Sequence, residues 1–171
     1  MVDDVTRLIA IEEIKCLKAR YLRALDTKDR ALMESVFAHD AVVDYTGSAT
    51  DPASGTNHSP DGTMHPLIGA AEIVDTCMRG AANFVSSHHG HMPEIDITGE
   101  DSAFAIWAMS DVVRFKSNPT TAGLNGFGHY HEWYRKIDGN WRIKKLRLTR
   151  LLLEPIASKQ TPPHSPLEPG R

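Results

Sequence analysis

Two long runs of alternating aliphatic, aromatic and polar residues, Phe127 to Ile137 and Trp141 to Leu153, flank the dipeptide Asp138-Gly139. Asp-Gly suits the two positive-φ positions of a tight hairpin turn, so the runs are expected to pair antiparallel across it. A third alternating run, Ala103 to Phe115, precedes them, after a turn at Gly99-Glu100-Asp101 and a shorter stretch ending in Ile95 and Ile97. The second half of the chain therefore reads as a meander of long antiparallel strands, broken by a Pro-Thr-Thr loop between Ser117 and Gly123.

The first half has a different period. From Asp4 to Asp26, Val5, Leu8, Ile9, Ile11, Ile14, Leu17, Leu22 and Leu25 recur at helical steps, predicting one helix with a broad core face, capped by Asp3 or Asp4. After a break at Thr27-Lys28, a second helix is expected from Asp29 to Phe37, with Leu32, Met33, Val36 and Phe37 inward. Ala41 to Tyr45 reads as a short strand. Thr46 to Pro66 is rich in Gly, Ser, Pro, Asn and Asp and reads as a flap or a mobile insertion. Gly69 to Arg79 returns to helical spacing through Ile73, Val74, Cys77 and Met78. Helices first and a meander afterwards predict an α+β fold, the helices packed on one face of a curved antiparallel sheet.

With 171 residues, 41% of them apolar, the chain has material for one core, placed in residues 1–153. Residues 154–171 hold five of the ten prolines and read as a mobile tail or a surface strap. The net charge of −3, with basic residues scattered apart from Lys144-Lys145-Leu146-Arg147, argues against nucleic acid as a partner. Cys16 and Cys77 are too few for a stapled secreted scaffold and fit reduced thiols in a cytoplasm. The N-terminal region carries acids where a leader needs bases, and no apolar run has bilayer-spanning length, so no membrane partner is expected.

Chemistry concentrates in Ser86 to Ile97, where His88, His89 and His91 lead into the strand that ends Ile95-Asp96-Ile97. Histidine titrates near neutrality and serves as base, metal ligand or pH switch. His89 and His91 share parity with Ile95 and Ile97, whereas His88 falls on the other face unless Pro93 marks a bulge. Asp26, at the negative end of a helix, should have raised proton affinity, or it caps the second helix. Asp111 interrupts an apolar stripe of Ala105, Trp107, Met109 and Val113, so it is either buried and in need of a partner or turned out by a bulge. Tyr21 and Tyr45 are either core or hydroxyl donors to a substrate oxygen. His129 and His131, two apart on one strand, open a metal-site reading together with the first cluster, a reading ranked below a metal-free site. Large apolar groups on both faces of the last hairpin predict a homodimer or homotrimer through the outer sheet face.

The helix pair, the interposed helix and the meander resemble the cone-shaped fold of the nuclear transport factor 2-like superfamily, within it the SnoaL-like and scytalone dehydratase-like group. The resemblance spans roughly Asp4 to Leu153 and is most specific in Trp133 to Trp141, Trp-Tyr-Arg-Lys-Ile-Asp-Gly-Asn-Trp. It implies catalytic roles for Asp26 and His88, and, through a bile-acid dehydratase-like branch, for Tyr21 and Asp111. The implied pocket is lined by Tyr21, Leu25, Tyr45, Trp107, Met109 and Phe127, with His89 as second choice to His88 and Tyr130 nearby as further substrate contacts. Leu146 stands where the hexachlorocyclohexane dehydrochlorinase branch has a functional Arg. No cofactor is expected. The implied activity is a cofactor-independent dehydratase or isomerase for a small hydrophobic ring-bearing compound, with a noncatalytic binding or assembly module as the alternative.

Overall fold

A computed structural model describes residues 2–58, 65–118 and 121–158. The first helix, α1 (Asp4–Thr27), starts where the Asp3 carboxylate accepts the Val5 and Thr6 N–H groups, each at 3.0 Å. It ends at Lys28, which takes the left-handed conformation at φ 59°. Ile14, Leu17, Tyr21, Leu22 and Ala24 are buried on its inner face. The expected core face is narrower at the start of the helix, where Ala10 is buried but Val5, Leu8 and Ile9 are exposed by 66%, 63% and 54%.

Asp29 caps α2 (Arg30–Glu34) by accepting the Leu32 N–H. That helix is shorter than expected. Val36 and Phe37 leave it to begin β1 (Phe37–Asp44), where the Val36 carbonyl accepts the Ile143 N–H at 2.9 Å and Phe37 pairs with Ile143. A large aromatic beside a β-branched residue is better packed in a strand than in a third helical turn.

Beyond β1 come β2 (Leu67–Ile68), α3 (Ala70–Ala81), β3 (Phe84–Ile97), β4 (Ser102–Phe115), β5 (Thr121–Ile137) and β6 (Asn140–Ala157). They form one six-stranded sheet in the order β2-β1-β6-β5-β4-β3. All neighbours are antiparallel except β1 and β6, which run parallel; the chain reaches β1 from the helical layer, so no hairpin dictates its direction. The predicted hairpin joins β5 to β6, with Asp138 at φ 48° and Gly139 at φ 74°.

Three bulges reset which residues face the helices. Between Gly90 and Pro93 two β3 residues, His91 and Met92, stand opposite one β4 residue, Ala108, so Ser86, His88 and Gly90 face inward on one side of the bulge and Pro93, Ile95 and Ile97 on the other. In β6, shifts opposite Trp133/Tyr134 and opposite Phe127/Gly128 divide the strand, giving an inward series of Trp141, Ile143, then Leu146, Leu148, Arg150, then Leu153. β6 continues through Ala157, which pairs with Thr121, so Glu154 to Ala157 belong to the sheet; the remainder of the expected tail, 159–171, lies outside the described residues. The expected flap is described over 46–58, where Thr50 bridges Asn57; its 59–64 portion also lies outside. Among the described residues no helix is long and apolar enough to cross a membrane.

Candidate active site

Asp26 occupies the last turn of α1, directly over the inward face of β3. Its Oδ1 accepts the Ser86 hydroxyl at 2.8 Å and the His88 Nδ1–H at 2.6 Å, while Oδ2 accepts the His88 backbone N–H at 2.8 Å. The bulge at Gly90–Pro93 is what brings His88 to this face; His89 and His91 alternate outward, where they reach Ser87 and Ser110. His89 therefore lies on the opposite side of the sheet from Asp26.

Partial burial pushes the Asp26 carboxyl up, but the hydrogen bonds and charge of His88, with the bond from Ser86, outweigh it and hold the carboxyl below its usual range. The raised proton affinity expected from the helix end is overridden. Asp26 does not cap α2; Asp29 does. Because Nδ1 is engaged by a carboxylate, the imidazole carries its proton there and leaves Nε2 as the basic nitrogen. His88 is about 10% exposed, and Nε2 has no hydrogen-bond partner among the described residues.

Asp111 lies beside His88 as its register partner on β4, 2% exposed. Its partner is Arg150, whose guanidinium donates to Asp111 Oδ2 at 2.7 Å and through Nε to the Ser48 carbonyl at 2.7 Å. Asp111 Oδ1 is buried and has no partner among the described residues. Arg150 escaped the sequence reading: the arginine looked for at Leu146 arrives four residues later, on the same inward face, while Leu146 itself is fully buried core. The signal was available in Asp111, since a buried acid on an apolar stripe calls for a cation opposite. Gly126 makes room for the pair, because a Cβ there would sit 2.2 Å from Arg150 and 2.5 Å from Asp111 Oδ1.

Tyr21 and Tyr45 share a hydrogen bond of 2.8 Å, and Cys77 Sγ lies 3.9 Å from the Tyr45 hydroxyl. Burial pushes both phenols well above their usual range, so they remain donors. The thiol of Cys77 is pushed up to about 11 by the same cause. Trp107, Met109 and Tyr130 are buried on the helix-covered face. Phe127, expected in the lining, alternates outward and is 39% exposed, a consequence of its odd position between inward Gly126 and Gly128.

Below these side chains lies a buried polar group that sequence reasoning missed. Lys18, 1% exposed, is paired with Glu132, 0% exposed, which also accepts the Tyr134 hydroxyl; Trp107 Nε1 donates to Tyr134 at 2.9 Å. The Lys18 ammonium sits 3.4 Å from the Tyr130 ring centroid and 4.5 Å from that of Tyr21. Burial lowers Lys18 to about 8 in spite of Glu132. His129 and His131 lie on the outer face of β5, and among the described residues no three His, Cys, Asp or Glu side chains converge to hold a metal.

Solved structures share this architecture. A crystal structure described as "Putative Scytalone Dehydratase" from Novosphingobium aromaticivorans superposes with TM-score 0.70 at 20% identity, over 89% of this chain and 91% of that one. A type 2 hexachlorocyclohexane dehydrochlorinase, LinA, gives TM-score 0.71 at 17% identity, over 95% and 100%. In sequence, the chain is 25% identical over 142 residues to "Probable cyclase FGR4" of Gibberella zeae, covering 78% of this chain and 86% of that protein. The profile of the SnoaL-like domain matches residues 6–147, most of the chain that builds the helices and the sheet, and the protein belongs to the SnoaL-like domain family.

Proposed function

We propose that this protein is a cofactor-independent lyase or isomerase acting on a small hydrophobic, ring-bearing hydroxy or oxo compound. The observation that carries this reading is the Asp26–His88 hydrogen bond, which leaves His88 Nε2 free as a base on the helix-covered face. Nε2 removes a proton alpha to a carbonyl; the C–H electron pair passes into an enolate, and Asp26 balances the imidazolium that forms. The Tyr21–Tyr45 hydroxyl pair and Arg150 supply the donors for the developing oxyanion. In a lyase the enolate expels a β-hydroxyl, which takes the proton from His88 and leaves as water. In an isomerase the same proton returns to a different carbon. The family match and relatives described as dehydratase, dehydrochlorinase and cyclase support small-molecule chemistry of this type. The apolar surroundings, Trp107, Met109 and Tyr130, favour a ring with few oxygens over sugars or nucleotides. Two free cysteines are in keeping with a cytoplasmic setting.

Thermal-shift screening of aromatic, terpenoid and steroid-like ketones and alcohols against sugars and nucleotides, followed by turnover assays on each stabilising compound, tests the proposal. Hydrophobic ring compounds should stabilise the protein, and His88→Ala should lower turnover by about 10²- to 10⁴-fold. Stabilisation by nucleotides or sugar phosphates alone, or a fully active His88→Ala enzyme, would overturn it.

A further inference from the structure

A recess runs along α1 from Leu8 to Arg20 against the tip of the β5–β6 hairpin, with a volume of about 490 Å³. Ligand sites commonly fall in this size range. Its lining includes none of Asp26, Ser86, His88, Asp111 or Arg150, so the recess is separate from the dyad.

One wall is aliphatic. Leu8 and Ile9 line it, more than half exposed in a region where nothing among the described residues covers them. Trp141 forms part of the wall beneath, 5% exposed, with an indole N–H that is buried and has no hydrogen-bond partner among the described residues. Buried donors without a partner are rare and mark a place where an acceptor is missing.

Charge at the rim is asymmetric once existing pairs are taken out. Glu12 is bound to Lys15 at 2.6 Å and Glu13 to Lys136 at 3.2 Å. Arg20 and Arg142 line the same recess and have no ion-pair or hydrogen-bond partner among the described residues. An apolar trough bordered by two unengaged guanidiniums is complementary to a molecule with an apolar body and an anionic oxygen head, since guanidinium and carboxylate match as paired donors and acceptors.

We infer that this recess binds a small amphiphilic carboxylate, its chain or ring along Leu8 and Ile9 and its head at Arg20 and Arg142, independently of the reaction proposed above. Calorimetric titration of the full chain with decanoate, below its micellar concentration, tests this. Saturable binding is expected, weakened about tenfold by Arg142→Glu or Arg20→Glu, reduced for decanol, and lost in Leu8→Asp. The same binding should survive in His88→Ala. All four positions except His88 are at the surface of the recess, and circular dichroism melts confirm that each variant is folded. Absence of saturable binding would overturn the inference. So would affinity unchanged in both Arg142→Glu and Leu8→Asp, which would locate decanoate elsewhere. Concentration-dependent self-association abolished by Leu8→Asp would also overturn it, making the recess a contact between copies.

Discussion

At the scale of single residues, Asp26 shows how a side chain's neighbours override its place in a helix. Three hydrogen bonds hold the carboxyl below its usual range where the helix end alone would raise its proton affinity. The folded pKa lies below the unfolded value, so the stability this group contributes is fully present above the unfolded pKa near 4 and is lost as pH falls through the folded one. Urea denaturation from pH 3 to 6 should therefore show a steeper acid loss for the wild type than for Asp26→Asn, and parallel curves would contradict this. Gly126 is a second test at this scale. Ala at 126 forces its methyl against the Asp111–Arg150 pair from about 2 Å, so it should displace Arg150 and destabilise the fold by about 1–3 kcal/mol. A variant with unchanged denaturation midpoint would show that the pair has room to move.

At the scale of elements, the strands and helices were legible in the residues because their periods are long and unmixed: α1 over more than six turns and the Asp138-Gly139 hairpin were read within a few residues. Facing was legible only where no bulge intervened. In β3 Pro93 leaves a bulge open while parity points to His89 and His91, and the resemblance places His88 first; nothing in Ile143 to Leu153 announces the two bulges in β6, and Arg150 went unread because the parity changes between Ile143 and Leu146 on the way to it. Lys18 was hidden for another reason. A lysine among apolar residues of a helix reads as a solvated stem, and only the fold brings Glu132, 114 residues away, to meet it. Removing one member of that buried pair leaves the other charged without a partner, so Glu132→Gln should cost about 3–5 kcal/mol in chemical denaturation. A loss below 1 kcal/mol would mean that the Tyr130 and Tyr21 rings suffice to hold the lysine.

At the scale of the whole molecule, the helices cover one sheet face, and among the described residues nothing covers the other. Phe104 and Trp133 meet there with ring centroids 5.0 Å apart, and Phe127 and Leu152 are each about two-fifths exposed. We expect this face to join two or three copies, as the mixed apolar hairpin suggested, and Phe127→Asp to release single chains. Sedimentation of the wild type as an 18.9 kDa species at micromolar concentration would refute it. The bulge between Gly90 and Pro93 carries a last consequence. The sheet reads β3 in two phases, and a one-residue deletion at Met92, 92% exposed, would let a single unbroken alternation serve both. With Ile95 and Ile97 in their seats, Ser86, His88 and Gly90 would then stay inward, whereas a flattened bulge with Met92 retained would turn that half over and present His89 to Asp26. The bulge that absorbs this one surface residue thus decides which histidine of the cluster is addressed to the interior.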